Sequence, residues 1–353
     1  ISLGLLAGRR ILFHLGQDPE VATLAYPFMQ LVGISIIPML LFMTLKQFTD
    51  GLEYTRTAMI LSLGALPVNT FLNWLFIYGN WGFPRMELEG AGWATLITRI
   101  LIFVVLGIII LKHGTFRKYR LVRQRQWRFN GKTMLELLYI GVPSSLQLGM
   151  EVSAFAVSGI IIGTIGAVSQ AAHQIALSCA AFTFMVSMGL SQAGSIRVSN
   201  AYGRSDWNKI RTIGKSTLIT ALIYGSFCAF CFILFRWQLP GLFNGNPEVV
   251  HLASVLLLFA AVFQISDSTQ AIGAGLLRGI KDVKVPTLLV TIAYWAIGLP
   301  LGYLLAFHFG MRSPGIWLGF IAGLTMASLL LVARFIKKVK IKNSPEWIGT
   351  KII

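Results

Sequence analysis

The sequence predicts an all-α, polytopic membrane protein built from two related six-helix bundles, the first of them incomplete. Three observations carry that prediction. The first is composition: 55% of the 353 residues are hydrophobic and only 12% are charged, with a mean hydropathy of +0.71, far from a water-soluble domain of this length. The second is the recurrence of apolar runs long enough to cross a hydrocarbon core at ~1.5 Å per residue. The third is a match between the two ends of the chain.

The apolar runs read as spans near 23–48, 57–79, 91–112, 134–163, 168–199, 212–236, 249–277, 285–308 and 314–336. Period-two alternation is absent, and the runs exceed the roughly ten residues of a barrel strand. Helices are therefore the expected element. Residues 1–8, ISLGLLAG, are apolar but too short to span, and they lack the basic start and cleavage site of a signal peptide. They read as the tail of a helix that begins upstream.

A net charge of +17 invites a nucleic-acid reading, so the distribution of the cations has to decide. Alternate connections hold 24 of the 30 Lys and Arg residues, the opposite ones hold five, and Arg99 alone falls within a span. Such asymmetry is topology: the basic loops belong on the cytoplasmic side of the plasma (inner) membrane, where they also attract anionic headgroups. No nucleic-acid partner is expected. Cys228 and Cys231 form a CxxC inside an apolar run, FCAFCFILF, which reads as small packing residues rather than a redox pair. P-loop, HExxH, GxSxG and GxGD patterns are absent in any usable context. The chain is therefore expected to be no enzyme and to carry no cofactor beyond a coupling ion.

The internal match is specific in register. Pro19-Glu20-Val21 is echoed by Pro247-Glu248-Val249, and Gly51 of TDGLEYTRTAM by Gly279 of LRGIKDVKVPT, both at an offset of 228. Trp93 of GAGWAT pairs with Trp317 of PGIWLG at 224, implying a small length change between them. A duplication of this kind is typical of transporters made of two helical bundles. It divides the chain into a remainder of the first bundle (1–112), a basic cytoplasmic linker (113–132), a second six-helix bundle (133–340) and a cytoplasmic tail (341–353). It also predicts roughly 90 to 100 further residues upstream, completing six plus six spans.

Charge at membrane depth is costly and usually functional. Glu151 lies near the middle of its span, and Ser144, Gln147 and Ser158 fall within about 40° of it on a helical wheel. Asp267 lies in AAVFQISDSTQAIGAG with Gln264 and Gln270 about 60° to either side, and nearby alanines make that face polar and open. Each acid is either half of a buried pair that only holds helices together or an ion site. A carboxylate withdrawn from water favours its protonated form, which suits proton coupling; ringed by carbonyls and amides, Glu151 and Asp267 could instead hold sodium. Gln170, His173 and Gln174 share a face of the next helix, and Asn69 and Asn73 share one of an earlier helix, where they could equally be interhelical glue. Aromatics such as Phe155, Phe182, Phe263, Tyr294 and Trp295 are candidates to line a cavity for a flat organic cation. Pro38, Pro67, Pro143 and Pro300 mark bending points within spans.

These residues resemble the multidrug and toxic compound extrusion (MATE) antiporters, in particular their bacterial NorM-like branch. The resemblance rests on GVPSSLQLGMEVSAF with Glu151, GAVSQAAHQIAL, SIRVSNAYGR, FQISDSTQAIGAGLLRGIKDVKVP with Asp267, and AYWAIGLPLGYLL. It covers nearly the whole chain and aligns its first residue with the third of the family's twelve helices. It implies a V-shaped pair of bundles that exports organic cations, amphipathic drugs and dyes among them, against inward protons or sodium. Glu151 and Asp267 are then the membrane-embedded acids of coupling and cation binding. No obligate protein partner is implied. A lipid-linked oligosaccharide flippase of the same superfamily would need a cationic cavity for pyrophosphate, and only Arg99 stands within a span. An intramembrane protease would need apposed acids in a motif such as GxGD.

Overall fold

The computed structural model describes residues 19–116 and 130–342. The apolar lead at 1–8, Arg9 and Arg10, most of the 113–132 linker and nearly all of the 341–353 tail lie outside the described residues. Among those described there is no strand, and nine helices are long and apolar enough to cross a membrane. The chain is an all-α, multi-pass membrane protein. It divides into two compact units, residues 1–129 and 130–353.

The first unit contains α1 (Pro19–Gly51), α2 (Thr55–Tyr78) and α3 (Glu87–Lys112). The second contains α4 (Gly131–Ile165), α5 (Ala167–Gly203), α6 (Trp207–Leu234), α7 (Pro247–Gly279), α8 (Lys284–His308) and α9 (Arg312–Lys342). Most of these helices run a few residues beyond the apolar spans. Hydropathy marks only the part that suits hydrocarbon, whereas backbone hydrogen bonding continues into polar turns such as the one holding Lys337, Lys338 and Lys340 at the end of α9. Caps set several starts: Asn130, Asp206 and Asn246 accept from the amides of Lys132, Lys209 and Glu248, and Pro247 occupies the first turn of α7.

The repeat read from sequence reappears in backbone geometry. Helices α1 and α7 each have 33 residues, and their ends are offset by 228. The turns that follow are matched bond for bond: Glu53 and Lys281 adopt positive φ of 65° and 60°, and Tyr54 N–H donates to Thr49 as Asp282 N–H does to Leu277, both at 2.9 Å. At the next turn the offset is 225. Glu87 and Arg312 have φ of 49° and 53°, and Gly90 lies against the Phe76 backbone as Gly315 does against that of Leu305 and Ala306. Helix α1 packs on α3, α3 packs on α2, and α1 and α2 meet sparingly; α7, α9 and α8 repeat that pattern in the second unit.

That register corrects one expected pairing. Trp93 and Trp317 are 224 apart, one residue short of the backbone offset, and one residue is about 100° on a helix. Trp317 therefore occupies the place of Gly92 and is 1% exposed, while Trp93 is 39% exposed.

In the second unit α7 is the central helix, packed against α5, α6 and α9. Without a hydrophobic drive between helices in lipid, close approach of small residues and polar contacts hold such elements together. Ser187 and Ser268 hydroxyls are 2.8 Å apart, Ser191 donates to the Ala271 carbonyl at 2.6 Å, and the Ser266 and Thr325 hydroxyls are 2.8 Å apart. Between α8 and α9, a Cβ added at Gly319 would stand 2.5 Å from the backbone nitrogen of Gly302. Large apolar side chains such as Phe182 and Ile160 remain outward, 80% and 71% exposed, as a lipid-facing surface requires. The three cysteines are free.

Candidate functional site

Glu151 lies midway along α4, whose one-sided polar stripe turns it inward, and it is 8% exposed. Two clefts meet at it. One, of about 480 Å³, is the more polar of the two and continues past Ser144, Gln147, Ser191 and Gln270 to Arg278. The other, of about 320 Å³, is apolar and is lined by Leu148, Phe155, Phe184 and Phe263, with Asp267 also on its wall. Both acids are thus withdrawn from bulk solvent, Asp267 being 3% exposed.

Helix α8 brings the remaining polar group. Pro300 cannot donate a backbone hydrogen bond, and the segment before it, Ile292–Gly298, widens into a π-helical turn closed by the Leu299 amide on the Tyr294 carbonyl. Tyr294 on that turn is 1% exposed, and its hydroxyl donates to Glu151 Oε1 at 3.4 Å. Two neighbouring bonds fix α8 to α4: Trp295 Nε1 donates to the Met150 carbonyl at 3.0 Å, and Thr287 donates to the Pro143 carbonyl at 2.9 Å. Beyond the acid, Phe155 meets Phe263, Tyr294 and Phe320 at ring separations of 6.1, 5.8 and 4.9 Å. Edge-on and tilted rings of this kind close one end of the site with a rigid apolar wall.

The expected residues divide. Glu151, Asp267, Ser144, Gln147, Gln270, Phe263 and Tyr294 converge. Ser158 does not join the clefts; it is fully buried with its hydroxyl turned onto the Phe155 carbonyl of its own helix. Gln264, likewise 0% exposed, lies outside both clefts, so the α7 face expected to be open is covered at Gln264 and opens around Asp267, Gln270, Ala271 and Ala274. His173 meets Trp317 edge-on at a ring separation of 5.8 Å, Gln170 sits beside Gly163, and Gln174 is exposed; none of the three lines either cleft. Phe182 faces outward. Asn69 and Asn73 belong to the first unit, where Asn73 donates to Asn69 at 3.0 Å and Asn69 to Thr98 at 3.3 Å, the glue alternative. Arg99 donates to Ser35 at 2.6 Å, also within the first unit.

The model of the MatE family matches residues 1–75 and 143–304. The chain belongs to the MatE family. It is 35% identical over 346 residues to a probable multidrug resistance protein NorM of Mesorhizobium japonicum, covering 97% of this chain and 74% of that one. A NorM of the same description from Shewanella oneidensis is 34% identical, with 98% and 76% covered. Among solved structures, the eukaryotic MATE transporter AtDTX14 superposes with a TM-score of 0.81 at 21% identity, covering 97% of this chain and 77% of that one.

In this MatE chain the repeat does not extend to Asp267 or the glutamines beside it. The residue 228 before Asp267 is Met39, and those before Gln264 and Gln270 are Ile36 and Phe42, so the polar stripe of α7 is absent from α1. Arg278 of α7 and Ser191 and Phe184 of α5 line the clefts without having been singled out in the sequence. The SxxxS spacing of Ser187 and Ser191 was the available signal, a small polar ridge at i, i+4.

Proposed function

We propose that this protein is a secondary active multidrug efflux antiporter, exporting cationic and amphipathic drugs and dyes across the plasma membrane in exchange for protons or sodium, with its basic-rich helix ends in the cytoplasm. The observation that carries the reading is the place of Glu151 at the junction of the more polar cleft and the apolar one, with Asp267 on the apolar side. Two carboxylates in so dry a setting call for compensating positive charge. A proton or sodium ion reaches Glu151 through polar side chains and is met there by the Tyr294 hydroxyl and the Gln270 amide; a flat organic cation gains from the Phe155 and Phe263 side. Either occupant satisfies the acids, so each weakens the hold on the other. Exchange follows if the two access states prefer different occupants. The multidrug resistance names of the NorM relatives support the drug side of this reading.

Ethidium efflux from cells producing Glu151→Gln or Asp267→Asn protein tests it. Each substitution is expected to abolish proton- or sodium-driven efflux at unchanged protein abundance. Undiminished efflux in both would remove the acids from the mechanism.

A further inference from the structure

A second cavity of the second unit is chemically unlike the acidic site. Helices α6 and α9 both pack on α7 but touch each other little, and toward their basic ends a groove of about 620 Å³ opens between them. Its walls change character along the helix axis. Arg211 and Lys215, one turn apart on α6, and Lys340 on α9 form the end of the groove, while Leu218, Leu222 and Phe335 continue it toward the membrane interior. The distance from Lys215 to Leu222 along α6 is about 10 Å at ~1.5 Å per residue, the scale that separates a lipid phosphate from the upper part of its acyl chains. The inner wall is fixed rather than improvised: Phe335 is 3% exposed, seated against Gly214, where an added Cβ would overlap its ring.

The cations are uncompensated. On the same α9, Arg334 and Lys338 are committed to Asp282, whereas Arg211, Lys215 and Lys340 have no acidic partner among the described residues. Three free positive charges at one end of an apolar trough complement a molecule with an anionic head and hydrocarbon tails. We infer that this groove binds one anionic glycerophospholipid from the leaflet that meets the basic helix ends, its phosphate among Arg211, Lys215 and Lys340 and an acyl chain along Leu218, Leu222 and Phe335. This inference is independent of the transport mechanism and of the acids.

Native mass spectrometry of the delipidated protein, titrated with phosphatidylglycerol, phosphatidylcholine or inorganic phosphate, tests it. Phosphatidylglycerol is expected to be retained at least tenfold better than phosphatidylcholine, and the triple substitution Arg211→Gln, Lys215→Gln, Lys340→Gln to erase that preference. The charge-keeping triple, Arg211→Lys, Lys215→Arg, Lys340→Arg, is expected to preserve it. Equal retention of the two lipids by the unaltered protein would overturn the inference without recourse to any variant. Full competition by inorganic phosphate would also overturn it, by showing a site for a soluble anion in which the apolar trough has no part.

Discussion

The Tyr294 hydroxyl, carried on a π-helical turn of α8, stands 3.4 Å from Oε1 of Glu151 on α4. It links the acid on α4 to the segment shaped by Pro300. Tyr294→Phe keeps the ring against Phe155 and removes only the hydroxyl. A hydrogen bond to a charged group is worth about 1.5–3 kcal/mol, and at this length the lower end applies. Dye efflux at limiting drive is expected to fall by roughly tenfold with normal membrane abundance; an unchanged rate across all drive strengths would show that the hydroxyl takes no part.

The α8–α9 seam rests on glycines whose backbones nearly touch. Gly319→Ala places a methyl group 2.5 Å from the Gly302 nitrogen, and overpacking of this kind costs about 1–3 kcal/mol. Gly159→Ala on α4 meets nothing within 4 Å and gains helix propensity. Thermal unfolding of the two variants in detergent is expected to move in opposite directions, Gly319→Ala down and Gly159→Ala level or slightly up.

Asp282, in the turn between α7 and α8, accepts from Arg334 at 2.8 and 3.1 Å and has Lys338 3.8 Å away. Its side chain is only 12% exposed, so Arg334→Gln leaves a half-satisfied carboxylate at a cost of about 2 kcal/mol. Adding Asp282→Asn to that variant removes the unpaired charge. The double variant is expected to recover at least half of the lost thermal stability, and additive losses would contradict the pairing.

The one-residue slip between the tryptophans has an energetic consequence. Trp317→Ala empties a buried site and is expected to cost about 3–5 kcal/mol, whereas Trp93→Ala, at 39% exposure, is expected to cost well under half of that. Equal losses in chemical denaturation would restore the 224-residue pairing read from sequence.

The reach of the sequence differed from residue to residue for physical reasons. Glu151 and Asp267 were legible because a carboxylate in an apolar run is expensive wherever its neighbours lie. Ser158 was misread because helical phase gives the face of a side chain, while a serine hydroxyl on that face can still satisfy itself on a carbonyl of its own helix. Asn69 and Asn73 fit a cavity and an interhelical contact equally well until Thr98 was found opposite them. The α7 stripe is open at Ala271 and Ala274 but covered at Ala260 and Gln264, because small side chains also let neighbouring helices close over part of it.

By itself, then, the sequence determined the solvent, the number and order of the described spans and the 228-residue register of the duplication. These follow from hydropathy and backbone turn chemistry, both local along the chain. Only the tertiary structure decided that Tyr294 and Gln270 meet Glu151 while His173, Gln174 and Ser158 do not, and that Trp317 replaces Gly92. Those outcomes depend on which helix lies opposite and by how far a π turn or a one-residue slip rotates it, and no period within a single helix contains that information.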